Sequence, residues 1–396
     1  MISVQQAEEI VLAQSRSYGT ELVPIHKALG RVTASQIKAD RDFPPFDRVS
    51  MDGISICFGE FENGVRSFPI EAIQAAGQAQ KTLKNSTNCM EVMTGAVCPE
   101  NSDTVIRYED LEIKDGIATI LIDDVREFQN VHSKGLDRRE GEVILEKNHR
   151  IRSSEIAVLA TVGAAHVEVY KIPKVAIISN GDELVEVDQK PLPHEIRRSN
   201  VYAIEAVLKE WNIDSHLFHL ADNEEEILNA LKSILQSHDI LLLSGGVSMG
   251  KYDFLPDAMN KLGVELLFHK VQQRPGKPFW FGKFENEKLV FAFPGNPVST
   301  FMCSIRYFIP YFKKCMGLSP SAPMRAQLGA DFNFKPALQY FLQVKLSMDD
   351  SLIAHPLVGH GSGDLANLVD VDGFLELPAD CNEFKKGEVF DFWPIG

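Results

Sequence analysis

The residues best suited to chemistry in this chain sit in short loops that contain glycine. SNGDEL at 179–184 and SGGVSMGKYD at 244–253 carry Asp182, Glu183 and Asp253, hard oxygen donors of the kind Mg²⁺ takes when it bridges phosphates. Gly245 and Gly246 lack a Cβ, so their backbone N–H groups can close around phosphate oxygens, and Ser248 adds a hydroxyl to the same loop. One such loop alone reads first as a solvated turn, whereas two at one sheet edge favour a binding site. Lys270, Arg274 and Lys277 fall within eight residues, around the rigid turn RPGKP. Cations held in that way suit a phosphate or an oxyanion, a solvated basic turn being the alternative.

Two further segments are weaker. In PGNP at 294–297, Asn296 and Pro297 open a helix, which makes either an anion site or a plain cap. Asp222 has Glu225 three residues on, and capping is the better reading of that pair taken alone. MDG at 51–53 and MTGA at 93–96 carry Asp52 and Thr94 but say little by themselves. The sequence lacks HExxH, a Cys/His cluster, GxxxxGK[ST] and GxSxG, which removes zinc-hydrolase, P-loop and α/β-hydrolase readings. His216 and His219, three apart on an expected strand, point to opposite faces and are not joint ligands.

The elements that must position these residues follow from hydrophobic patterning. Ser3 and Gln6 form a capping-box signature before an amphipathic helix with Val4, Ala7, Ile10 and Val11 on one face. RDFPPFDRVSMDG at 41–53 marks a boundary, and short strand-like runs such as 104–108 and 117–122 follow it. A helix is expected over 153–162. From Lys174 the order becomes strand 175–178, helix 199–211, strand 216–220, helix 224–236 and strand 240–243. That alternation predicts a doubly wound parallel sheet, which binds ligands beyond the carboxyl ends of its strands. A long helix from Pro297 to about Met316 closes the unit, residues 320–323 form a linker, and a β-rich segment ends the chain.

The bulk numbers set outer limits. At 396 residues the chain exceeds one hydrophobic core and predicts two to four domains. A net charge of −15 argues against nucleic-acid or membrane-surface binding, both of which need a basic footprint. The opening residues carry Glu8 and Glu9 rather than a basic, apolar leader, and no apolar run approaches the roughly 20 residues of a membrane span. Six dispersed cysteines read as reduced thiols, so the expected location is the cytoplasm.

Taken in order, the motifs resemble one family, the molybdopterin molybdenumtransferases, which include the bacterial MoeA proteins and the gephyrin E domain. PPFDRVSMDG, MTGAVCP, SNGDELVE, SGGVSMGKYD, RPGKPFWFG and FPGNPVS are similar to that family's PPFDxSAMDG, MTGAxxP, STGDELV, SGGVSxGxxD, KPGKPxxFG and LPGNPVS. The resemblance runs along nearly the whole chain. It implies a multidomain α/β plus β protein: an elongated discontinuous domain (1–42 and 136–173), an inserted β domain (43–135), a doubly wound molybdopterin-binding α/β domain (174–319) and a C-terminal β-barrel-like domain (320–396). It also implies a homodimer. The reaction implied is Mg²⁺-dependent insertion of molybdate into adenylyl-molybdopterin, with release of AMP. The molybdopterin adenylyltransferase and the acceptor molybdoenzymes would be its partners.

Carried over by motif, the functional positions are Asp52, Thr94, Glu183, Asp222, Asp253, Lys270, Arg274 and Ser362. Physical reasoning adds Asp182 to Glu183, Asp222 and Asp253 as the metal set, steering water towards the phosphoanhydride. Lys270, Arg274 and Lys277 would hold molybdate and the pterin phosphate, with Gly245, Gly246, Ser248 and Asn296 also binding substrate. Asp52 and Thr94 would complete the cleft of a second protomer. This chain departs from the family where LQYFLQ at 338–343 replaces an Arg-x-x-Phe-x-Arg pattern, and where Asn180 stands in place of Thr. Lys345, two residues beyond Gln343 on a strand, is the expected substitute cation. Two other functions are open to the sequence: adenylylation of molybdopterin, and a non-enzymatic cofactor-binding scaffold. The MDG and MTGA segments favour insertion over the first, and the carboxylates with Lys277 argue against the second.

Overall fold

The computed structural model describes residues 1–246, 254–319 and 322–395, so Ser248 and Asp253 lie outside the described residues. The chain divides into two compact units: Met1–Ala34, Asn148–Arg152 and His166–Gly396 in one, Ser35–Lys147 and Ser153–Ala165 in the other.

The first unit is built on a six-stranded sheet. Its order is Ser215–Leu220, Val175–Asn180, Ile240–Ser244, Lys288–Phe293, Trp280–Phe284 and Glu265–His269. The first four strands run parallel, and the last two join antiparallel at one edge. The sheet is therefore doubly wound with an antiparallel margin, which periodicity alone did not reveal. Side chains alternate between two buried faces: Ile177, Leu242 and Phe291 on one, Ile178, Leu243 and Val290 on the other. Burial on both faces explains why these strands read as continuous apolar runs. Helix Val4–Ala13 keeps its capping box, with Ser3 and Gln6 satisfying each other's backbone N–H, and places Val4, Ala7 and Val11 in the first face's core.

The expected long helix after Pro297 is Pro297–Cys303 and Ile309–Cys315, joined by a wider π turn at Ser304–Phe308. Pro310 lacks an N–H and its ring crowds the carbonyl one turn back, so the regular ladder cannot continue through it. Beyond it, strands Gln339–Met348, Leu352–Pro356, Met324–Leu328, Val389–Pro394 and Gly373–Leu377 pair in that order. Gly373–Leu377 pairs back with Gln339–Met348 and closes a barrel. Leu342, Val344, Leu375 and Phe392 fill its interior. The short strand Gln273–Arg274 pairs with Gln339–Met348, tying the basic loop to the barrel wall.

The second unit holds another six-stranded sheet, ordered Thr104–Arg107, Gly53–Ile56, Cys89–Val92, Ser67–Gln74, Ile117–Ile120 and Leu111–Lys114. Ile54, Phe68, Cys89, Ile106 and Ala118 form its core. This is the small β region expected from the sequence, and helix Ser153–Thr161 belongs to the same unit. Among the described residues, no helix is long and apolar enough to cross a membrane.

Candidate active site

Strands Val175–Asn180, Ile240–Ser244 and Lys288–Phe293 deliver three loops to one edge of the first unit's sheet. Glycine lets their backbones meet: a Cβ on Gly295 would lie 3.4 Å from the Cα of Gly245, and one on Gly245 would lie 3.3 Å from the carbonyl of Asn180. Gly245 and Gly246 have φ of 95° and 70°, a left-handed turn that other residues adopt only with strain. Gly245 donates its N–H to Phe293 O. The glycine pair that the sequence offered as a phosphate cradle thus also holds neighbouring strands together.

The first loop organises its carboxylates through hydrogen bonds. Asn180 Nδ2 donates to Asp222 Oδ1 at 2.6 Å, and the Asp222 N–H donates to Asp182 Oδ1 at 2.9 Å. The N–H of Asp182 lies 3.5 Å from Asp222 Oδ2. Asp222 does not cap the following helix. Asn223 does so, its side chain accepting from the N–H groups of Glu225 and Glu226. The capping reading of Asp222 is therefore corrected, and the carboxylate is left to face Asn180 and Asp182. Glu183 folds its carboxylate back over Gly181, so that a Cβ there would stand 2.3 Å from Glu183 Oε2. Asn180, the departure from the family pattern, is the residue that orients Asp222.

Of these residues Asn180 and Glu183 line a cleft of about 320 Å³, whose walls also include Asn200, Gly245, Gly295 and Asn296. Asn200 was not singled out from the sequence, yet its amide donates to Ser244 Oγ (2.8 Å) and Gly295 O (2.7 Å), tying two of the loops together. The available signal was an asparagine in the first turn of a helix that follows the first acidic loop.

A second cavity of about 170 Å³ adjoins the first, lined by Arg274, Tyr340, Gln343, His360 and Ser362 among others. The two meet where Asn296 Nδ2 donates to Ser362 Oγ at 2.9 Å, a contact between two residues anticipated separately. Buried Gln273 shapes the basic loop: it bonds Gly276 O and receives the hydroxyl of Tyr307. Only Arg274 of the three loop cations lines this cavity. Lys270 holds φ +70°, with its backbone bonded to Phe279 and Ile2, and Lys277 is exposed. Gln343 is buried and accepts from Asn367 Nδ2 at 3.0 Å. Lys345 is exposed and is not part of the cavity wall, so its expected role as substitute cation is not supported.

In the second unit the MDG and MTGA motifs converge on each other. Asp52 Oδ1 accepts from the N–H and the hydroxyl of Thr94, at 2.6 and 2.7 Å. These bonds, the backbone one foremost, hold the Asp52 carboxyl below its ordinary pKa. Gly53 is required beside it, because a Cβ would stand 1.8 Å from Ile106 O.

Among the described residues no three His, Cys, Asp or Glu side chains converge into a ready metal cage. Mg²⁺ rarely needs one. It keeps several waters and takes one or two carboxylates together with substrate phosphates. The all-oxygen set of Asp182, Glu183 and Asp222 fits an ion that arrives with a phosphate, and does not fit a softer metal.

Comparison with known proteins covers the whole chain. The MoeA N-terminal region (domain I and II) matches residues 2–163, a probable molybdopterin binding domain matches 176–314, and the MoeA C-terminal region (domain IV) matches 325–395. The molybdopterin molybdenumtransferase of Synechocystis is 41% identical, over 99% of this chain and 100% of its own. That of Staphylococcus epidermidis is 30% identical over 98% and 94%. The molybdopterin biosynthesis MoeA protein of Pyrococcus horikoshii superposes with a TM-score of 0.85 at 27% identity, covering 100% of this chain and 99% of that one.

Proposed function

The chain belongs to the MoeA family of molybdopterin molybdenumtransferases, transferases of molybdenum-cofactor biosynthesis, and from that premise we propose that it inserts molybdate into adenylyl-molybdopterin with release of AMP. The observation that carries this reading is the juxtaposition of a carboxylate array and an oxyanion-sized cavity. Asp182 and Asp222 are locked together beside Asn180, and the cleft that Asn180 and Glu183 line meets the Arg274 cavity at the Asn296–Ser362 bond. A phosphoanhydride needs the first and a tetrahedral oxyanion the second.

In this account Asp222, held by Asn180, orients the water that attacks the adenylyl phosphorus; the bond from that phosphorus to the bridging oxygen breaks, the water oxygen ends on AMP, and the bridging oxygen stays with the molybdopterin phosphate. Glu183 and Asp182 would hold Mg²⁺ with Asp222 and Asp253, and when bound that ion neutralises charge developing on the phosphates. Arg274 and Ser362 hold molybdate beside the dithiolene that receives it, with Lys270 and Lys277 as further cations. Asp52 and Thr94, which belong to the other compact unit, act from a second protomer of a homodimer. The four domains we propose are 1–42 with 136–173, 43–135, 174–319 and 320–396, the first of which draws residues from both compact units. The enzyme works in the cytoplasm, receives its substrate from the adenylyltransferase and passes its product to molybdoenzymes. The assembled Asp52–Thr94 pair supports insertion rather than adenylylation. Incubation with adenylyl-molybdopterin, Mg²⁺ and molybdate tests the proposal: AMP and a cofactor able to activate an apo-molybdoenzyme should form together.

A further inference from the structure

The cations read from the sequence leave the larger cleft unserved. Arg274 opens on the smaller cavity, and Lys270 and Lys277 are not in the wall of either. Yet the larger cleft has positive charge, because Arg197 and Arg198 form part of its lining. Arg198 is only 8% exposed, an unusual place for a guanidinium unless something pairs with it. Among the described residues its one carboxylate partner is Glu186, whose Oε2 lies 3.1 Å from Nε and which is itself 45% exposed. Nε completes no hydrogen bond in that contact, and Tyr202 shares the same carboxylate oxygen at 3.3 Å. A guanidinium carries five N–H donors in a fixed fork, so one off-angle carboxylate leaves most of them for a ligand.

The backbone around Arg198 is well anchored. Its N–H donates to Val185 O, and Ile196–Arg197 pairs with Leu184–Val185, the segment that directly follows Asp182 and Glu183. An anion drawn to Arg198 therefore pulls on the same ribbon that carries the acidic loop.

We propose that Arg198 is the phosphate-binding cation of the larger cleft, with Glu186 as the counter-ion that holds its guanidinium until the ligand arrives. The identity of that ligand as the phosphate end of adenylyl-molybdopterin rests on the function proposed above; binding of a phosphate-bearing nucleotide does not. The competing explanation is a structural ion pair that staples the ribbon, and it makes a different prediction for the two partners.

Calorimetric titration of the full-length chain with AMP separates them. Arg198→Gln should weaken AMP binding about tenfold or more, the scale of one lost charged contact. It should raise KM for adenylyl-molybdopterin with little change in kcat. Arg198→Lys, which keeps the charge and a partner for Glu186, should fall between wild type and Gln. Glu186→Gln should bind AMP as tightly as wild type or more tightly. The proposal is overturned if the wild-type chain does not bind AMP, if Arg198→Gln binds it unchanged, or if Glu186→Gln weakens binding as much as Arg198→Gln. A wild-type chain that binds AMP through Arg198 but shows no molybdate-dependent AMP release would refute the proposed reaction and leave this assignment standing.

Discussion

Asn180 donates to the carboxylate of Asp222 across 2.6 Å, from the end of one strand to the loop after the next. That bond separates two roles that look alike in sequence. Asn223 closes the helix end, while Asp222, one residue earlier, accepts from Asn180, which lines the cleft. Asn180→Ala should therefore reduce molybdate-dependent AMP release by about tenfold, since a hydrogen bond to a charged group is worth about 1.5–3 kcal/mol. Thermal stability should change far less than activity.

The complementary substitution moves the other quantity. Asn223→Ala removes the cap of helix Glu224–Ser237 and should cost about 1 kcal/mol of stability. Its kcat should stay within about twofold of wild type, since the cap makes no contact with the carboxylate array. A catalytic loss as large as that of Asp222→Ala would show that the two residues are not separable.

Asp52 gives a pH-dependent prediction. Its folded pKa is depressed, first by the Thr94 N–H and then by the Thr94 hydroxyl. The stabilisation this gives is complete above the ordinary aspartate value of about 3.9 and is lost as pH falls through the lower, folded value. Thr94→Val removes the hydroxyl and leaves the N–H. By NMR titration the Asp52 midpoint should move up part of the way towards its ordinary value. The stabilities of the two proteins should differ near neutrality and converge in acid. An unmoved midpoint would mean that the hydroxyl bond is not made in solution.

Assembly has its own test. If Asp52 serves the cleft of a second protomer, inactive Asp52→Ala and inactive Asp253→Ala chains, mixed under exchange, should regain part of the activity in heterodimers. A fully active monomer by light scattering would contradict the dimer.

The oxyanion cavity yields a prediction that the strand pattern alone reverses. Gln343 lines the cavity while Lys345 does not. Lys345→Ala should leave the half-saturating molybdate concentration unchanged. Gln343→Arg should lower it several-fold by adding a second cation to the cavity that Arg274 lines.

What the sequence disclosed, and what it withheld, follows the range of the forces involved. Capping box, apolar strands and glycine turns are local, so the helix at Val4–Ala13 and the strand Val175–Asn180 were readable. The sequence likewise singled out Asp182, Asp222, Arg274, Asn296 and Ser362, which the structure gathers in one compact unit. The pairing of Asn180 with Asp222, the bridge made by Asn200 and the burial of Arg198 depend on neighbours from other strands. No local pattern encodes those. Period-two reasoning gave Lys345 the same side as Gln343 but could not say where the cavity wall ends. Among the sequence-predicted positions, Ser248 and Asp253 lie outside the described residues.

The central claim is that the carboxylate array opens a phosphoanhydride in a reaction tied to molybdate. The most direct measurement is the single-turnover rate of AMP release from adenylyl-molybdopterin at saturating Mg²⁺, with and without molybdate, for wild type and Asp222→Ala. The account predicts molybdate-stimulated release by wild type and a fall of at least about 10²-fold in the folded variant. Release that molybdate does not stimulate, or that Asp222→Ala performs at the wild-type rate, would contradict it.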